Sequence, residues 1–84
     1  MNNELKNKDD IQLYPNPATD RVYVDSKETK KVQMQVYNII GECVLQRELK
    51  GGINEIDMSK LSNGIFMIRI IGENWEAKRK LIKE

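Results

Sequence analysis

The chain has 84 residues, 14 basic and 13 acidic, with one cysteine and no histidine. At that length one domain with a thin core is expected, and the mixed charges, summing to +1, argue against nucleic acid, whose partners carry a one-signed basic face. The single Cys43 excludes an internal disulfide, and the lack of histidine removes the commonest general base and the commonest metal ligand.

Residues 1–10, MNNELKNKDD, are polar and aperiodic, as in a linker or a ragged terminus. They lack the apolar segment of a signal peptide, so an exported chain would take its signal from a longer precursor. No apolar run anywhere approaches the roughly 20 residues needed to span a bilayer.

From Ile11 onward the hydrophobic period is two. In LYPNPATD, residues 13–20, the chain's only prolines, Pro15 and Pro17, flank Asn16. Proline fixes φ and cannot donate to a sheet ladder, which excludes a central strand. The stretch is expected to be a kinked first strand at the start of the domain. RVYVDS then sets Val22 and Val24 opposite Arg21, Tyr23 and Asp25, and KVQMQVY sets Val32, Met34 and Val36 opposite Gln33, Gln35 and Tyr37. A turn is expected at Gly41 and Glu42. ECVLQREL reads as a weaker strand with Cys43 and Leu45 on one face.

After the KGG turn comes GINEID, in which Ile53 and Ile56 are out of phase, so a bulge is expected there. DMSKLSNG, residues 57–64, is expected to hold one helical turn capped by Ser59, with Leu61 dropped into the end of the core. GIFMIRII puts Phe66, Ile68 and Ile70 on one face. After the GEN turn, WEAKRKLIKE keeps Trp75, Ala77 and Leu81 in phase and is read as a strand rather than a helix. About seven short strands with turn signals every 8–12 residues are the pattern of a small β-sandwich. The expected fold class is therefore all-β, a small immunoglobulin-like β-sandwich of about seven short antiparallel strands.

Chemistry is sparse. Cys43 is expected to be a half-buried small hydrophobe rather than a reactive thiol. Asp9, Asp10, Asp20 and Asp25 show no alternate-acid calcium loop, so they read as solvated surface. Trp75 in its basic segment fits a sugar or phosphate platform less well than an aromatic packed at a strand edge. No catalytic residue, metal or cofactor is assigned. The terminal KLIKE admits two compatible readings: an edge strand guarded by lysines, or a strand that a partner recognises by strand addition.

Four stretches together carry a family resemblance: Tyr14-Pro15-Asn16-Pro17-Ala18, Val36-Tyr37-Asn38-Ile39-Ile40-Gly41-Glu42, Ile56-Asp57-Met58-Ser59-Lys60-Leu61-Ser62-Asn63-Gly64-Ile65-Phe66, and Lys80-Leu81-Ile82-Lys83. In this order the chain resembles the type A C-terminal sorting domain of the type IX (Por) secretion system of Bacteroidetes, over about residues 12–84. Phe66 stands where the family often has tyrosine, and Met58 where leucine is more usual. The resemblance implies a signal at the end of a larger cargo protein. Such a signal directs its cargo through the outer-membrane translocon and is normally removed by a cell-surface sortase. It would be found in the periplasm in transit to the outer membrane, the cell surface or the extracellular space.

Residues 1–10 would hold or adjoin the cleavage region, and residues 11–84 would be the sorting domain. Pro15, Asn16, Pro17, Gly41, Asp57, Ser59, Leu61, Gly64 and Phe66 would be structural motif positions. Lys80, Leu81, Ile82 and Lys83 would be read by the translocon, its shuttle or the sortase, with backbone pairing along a free terminal strand supplying affinity. The N-terminal cargo domain of the same precursor would be a further partner, and exposed edges would allow a homodimer by strand exchange. A different class of function is a retained structural or adhesive module binding carbohydrate or a neighbouring domain, with Trp75 and Tyr23 as its first candidates. A third is a sorting-like domain kept on a component of the secretion machinery.

Overall fold

Successive side chains of a strand point to opposite faces, so period-two alternation can bury one face while wetting the other. The computed structural model describes residues 11–27 and 30–84. It contains β1 (Ile11–Tyr14), β2 (Arg21–Ser26), β3 (Val32–Tyr37), β4 (Cys43–Leu49), β5 (Gly52–Asp57), β6 (Gly64–Ile71) and β7 (Glu76–Lys83). Residues 1–10, assigned above to the linker and cleavage region, lie outside the described residues.

The strands form two antiparallel sheets, one ordered β1-β2-β5 and the other β4-β3-β6-β7. The core draws on both. Ile11, Val22, Val24 and Ile56 come from the first sheet; Val32, Met34, Val36, Leu49, Phe66, Ile68, Ile70 and Leu81 come from the second. Cross-strand pairs align this layer: Val22 faces Ile56, Met34 faces Ile70 and Val36 faces Ile68. The all-β expectation and the seven strands agree with this architecture.

Three local expectations need correction. The predicted bulge in GINEID does not occur: β5 pairs with β2 without interruption from Arg21↔Asp57 to Ser26↔Gly52. Positions 53 and 56 have opposite parity, so a regular strand buries Ile56 and leaves Ile53 65% exposed. The irregularity lies in β4. Val36 pairs with Leu45 but Tyr37 pairs with Cys43, which leaves Val44 as the extra residue. One added residue inverts the parity of what precedes it, so Cys43 turns away from Leu45 and is exposed rather than half-buried.

Residues 58–61 form a single hydrogen-bonded turn, the Leu61 N–H donating to the Met58 carbonyl at 3.0 Å, and not a helix. The capping role assigned to Ser59 belongs instead to Asp57, whose Oδ1 accepts from the Ser59 N–H at 2.9 Å. Its neighbour Met58 is fully buried, and the Met58 N–H donates to the Asp20 carbonyl at 2.7 Å. Leu61 packs against the core as expected.

Two connections show how turns are held. Gly41 adopts φ +90°, the left-handed region that favours glycine. Asn38 closes that turn, its Oδ1 accepting from the Ile40 and Glu42 N–H groups at 3.1 and 2.9 Å. Where β4 passes to β5 and the chain changes sheets, Asn54 does the equivalent work. Its side chain bonds both the N–H and the carbonyl of Lys50 and donates to the Val24 carbonyl.

In the β6–β7 hairpin the Gly72 N–H donates to the Trp75 carbonyl at 2.8 Å. The Trp75 indole lies so close over Gly72 that a β-carbon there would overlap the ring. Trp75 is half-buried and packs against the core, and Ala77 and Leu81 follow in phase.

Replacing Gly72 with alanine should therefore displace the indole. Overpacking of this kind costs about 1–3 kcal/mol, whereas Ile53→Thr on the wet face should stay within about 0.5 kcal/mol of the parent. Urea unfolding of the two variants measures both effects.

Candidate functional site

The chain's two prolines follow β1 rather than sit within it. β1 ends at Tyr14, and the Tyr14–Pro15 and Asn16–Pro17 peptide bonds are both cis. The segment leaves the first sheet here and crosses to β7 of the second. Asn16 Nδ2 donates to the Lys80 carbonyl at 3.0 Å, and Asn16 Oδ1 accepts from the Ile82 N–H at 3.1 Å. A side-chain amide offers the same donor and acceptor as a peptide group, so Asn16 substitutes for one residue of a neighbouring strand.

Ala18 continues the contact. Its N–H donates to the Ile82 carbonyl at 2.7 Å and its carbonyl accepts from the Glu84 N–H at 2.8 Å, with a parallel bridge to Lys83. Ala18 is fully buried, which leaves room for little beyond a methyl group. An edge strand presents unpaired backbone groups that invite pairing. From Lys80 to Glu84 those of β7 are occupied by residues 16–18. The terminal strand is thus not the free edge that strand addition at 80–83 would use.

The four terminal motif residues separate into distinct environments. Lys80 is exposed, Ile82 is half-buried on the outer face, and Leu81 belongs to the core. Lys83 is only 6% exposed, and its Nζ donates to Asn63 Oδ1 at 3.4 Å. Burying an ammonium requires a polar partner, and Asn63 in the β5–β6 connection supplies it. Lys83 also pairs with Gly64 across the ladder. The structure therefore brings together Asn16 with Lys80 and Ile82, and Lys83 with Asn63 and Gly64. Asp57, Ser59 and Leu61 shape the same β5–β6 connection, while Phe66 lies in the core. Gly41 lies apart, in the β3–β4 turn.

Sequence reasoning left Ala18 and Asn54 without roles, and read Asn63 with Gly64 only as the restart of the chain as a strand. For Ala18 a signal existed, a small residue directly after two constrained prolines. Asn54 had none, because a side chain that bonds a distant backbone leaves no periodic trace, and the contact of Asn63 with the Lys83 ammonium, 20 residues on, leaves none either. The aromatic candidates are committed elsewhere. Trp75 is packed over Gly72, and the Tyr23 ring stacks on Tyr14 with centroids 5.8 Å apart.

On the outer face of the second sheet a polar network surrounds Arg69. Its guanidinium grips Glu76 in a two-point fork, at 2.6 and 3.2 Å. Gln35 Oε1 accepts from Tyr37 Oη at 2.6 Å and from Arg69 Nη1 at 3.5 Å. The Arg69 hydrogen bonds hold the Glu76 carboxyl below the usual carboxylate range, and they raise the arginine further above its own. Hydrogen bonds from Ser59 lower Asp57, and Lys30 lowers Glu73 from 2.9 Å.

Each of these carboxyls has a folded-state pKa below its unfolded value. Their stabilisation is present above the unfolded values, near 3.8 for Asp57 and 4.5 for the two glutamates. It is lost as pH falls through the folded values. Chemical unfolding at pH 6 and pH 3 should show lower stability at pH 3, and Glu76→Gln should reduce the difference. For the strand clamp, Asn16→Ala removes two hydrogen bonds, a loss of about 1–3 kcal/mol in total. Hydrogen exchange at the Ile82 amide should accelerate in that variant more than exchange at Ile70 in the core.

Comparison with known proteins places this geometry. The chain is 24% identical over 66 residues to an endo-acting ulvan lyase of Formosa agariphila, covering 77% of this chain but only 13% of that enzyme. The chain thus spans a small fraction of the curated relative it matches. The family model described as the secretion system C-terminal sorting domain matches residues 12–84. That span runs from β1 through the clamped end of β7, and the chain therefore belongs to the type IX secretion C-terminal sorting domain family.

Proposed function

We propose that this domain is the removable export address of a larger cargo protein, recognised as a folded unit by the outer-membrane translocon of the type IX system and its shuttle. The observation that carries this reading is the span of the family match, residues 12–84, which takes in β1 from its second residue, the other six strands whole and both partners of the clamp. A sortase would cut ahead of Ile11, within or before residues 1–10, releasing the cargo. The cargo would lie N-terminal to the domain, in keeping with a relative of which this chain matches only 13%. The domain would act as ligand and substrate rather than as a catalyst, in transit through the periplasm to the cell surface or beyond.

A sheet of three strands facing one of four, with the segment after β1 crossing to the last strand, supports an immunoglobulin-like arrangement. Within it, Lys80 and Ile82 would be met by the partner through their side chains. Leu81 and Lys83 would hold the strand in place from the core and from Asn63. A carbohydrate-binding role fits less well, because Trp75 packs over Gly72 and Tyr23 stacks on Tyr14.

A reporter carrying an N-terminal signal peptide and residues 1–84 at its C-terminus, expressed in a bacterium with a type IX system, should reach the cell surface or the medium. Removal of residues 80–84 should leave it in the periplasm, as measured by fractionation. Normal delivery without those residues would overturn the assignment.

A further inference from the structure

The outer face of the four-stranded sheet is apolar at one end. Ile65 and Met67 of β6 point outward, and their ladder partners on β7 are Ile82 and Lys80. The β3–β4 turn adds Ile39 and Ile40, 82% and 74% exposed. Two adjoining hollows of about 260 Å³ each open here, sharing Asn38, Ile39, Ile65 and Phe66 in their walls. Isolated surface hydrophobics are ordinary, but a contiguous group bordered by charge marks an interaction site. Ile39, Ile40, Ile65 and Met67 lie outside the buried core, whereas Phe66 belongs to it and floors both hollows.

The border is cationic. Lys80 lines one of the hollows, and Lys78 lies two residues away on the same face. Among the described residues neither lysine makes an ion pair, whereas Arg69 between them and the sheet centre is neutralised by Glu76.

We propose that this face, Ile39, Ile65 and Met67 with Lys78 and Lys80, is where the domain docks on a protein of the export machinery whose surface presents apolar side chains bordered by carboxylates. The inference rests on the export reading above and adds the surface and the chemistry of recognition. Because residues 16–18 close the β7 edge from Lys80 to Glu84, docking at this end falls to side chains rather than to added backbone pairing. Charge selects the occupant. A second copy related by a two-fold axis would add its own Lys78 and Lys80 to the same interface, and that surplus of like charge is unfavourable. An anionic lipid surface would meet Glu42 in the same turn as Ile39 and Ile40 and would leave the hollows between turn and sheet unfilled. A partner with carboxylates opposite Lys78 and Lys80 gains the attraction and can fill both hollows.

The reporter fusion tests this with two double variants, Ile39→Ser with Ile65→Ser and Lys78→Glu with Lys80→Glu. Ile53→Ser, exposed on the opposite sheet, is the control. Urea unfolding establishes that each is folded, and the lysine pair, wholly at the surface, keeps the test open if the isoleucine pair unfolds. Surface delivery should fall tenfold or more in the folded double variants and stay unchanged in the control. A photo-crosslinker at position 65 should trap an outer-membrane protein, and the adduct should be lost in the lysine variant. Full delivery of both folded variants alongside the parent would overturn the docking face while leaving the export reading intact. Failure of the parent fusion to be delivered would overturn both. Sedimentation of the isolated parent with phosphatidylglycerol vesicles, or a dimer in solution, would overturn the choice of a protein partner if either were abolished by Ile39→Ser with Ile65→Ser.

Discussion

One apolar layer, shared by two sheets, is what the rest of the structure depends on. A chain of this length buries only a modest part of its unfolded surface, so each inward position counts. The layer is built from pairs that face each other across ladders, such as Val36 with Ile68 and Met34 with Ile70. Met58 and Leu81 belong to it, and Leu61 packs against it. Everything functional is arranged around it: the outer faces carry charge and the exposed isoleucines, and the turns carry glycine and asparagine.

The second constraint is the treatment of the sheet edge. β7 lies at the margin of its sheet, where unpaired backbone groups are an aggregation hazard. Asn16 and Ala18, from the start of the described chain, cover that margin at its end. A domain that serves as a secretion sorting signal benefits from such a cover, because an open edge could pair with other chains. The cover also joins the two sheets, since the segment that leaves β1 in one sheet ends on β7 in the other. The first and last family motifs are therefore one structural feature.

Asparagine recurs in this role. Asn16 bonds the backbone of β7, Asn38 closes the β3–β4 turn, Asn54 ties the passage from β4 to β5, and Asn63 receives the buried Lys83. Asn16, Asn38 and Asn54 both donate and accept and Asn63 accepts, and buried or half-buried polar groups need such partners. In a fold with so thin a core, these side chains hold the connections that apolar contacts cannot reach.

Much of the fold was legible in the sequence because sheet burial has a period of two, and RVYVDS, KVQMQVY and GIFMIRII show it directly. Parity failed only where a single residue was added: the extra Val44 turned Cys43 outward, while the mismatch at Ile53 and Ile56 needed no bulge at all. The family motifs were legible as well, as ordered local strings. Their meaning was not. The prolines read as a kinked strand, yet they sit beyond the end of β1 and carry Asn16 across to Lys80 and Ile82, 64 and 66 residues later in the chain. The terminal lysines read as equivalent, yet Lys80 is exposed and Lys83 is buried against Asn63. Sequence by itself determined which residues alternate, where the chain turns and which family it resembles, because these are local properties. Only the tertiary structure decided which edge is covered and which lysine faces solvent, because both depend on contacts between opposite ends of the chain.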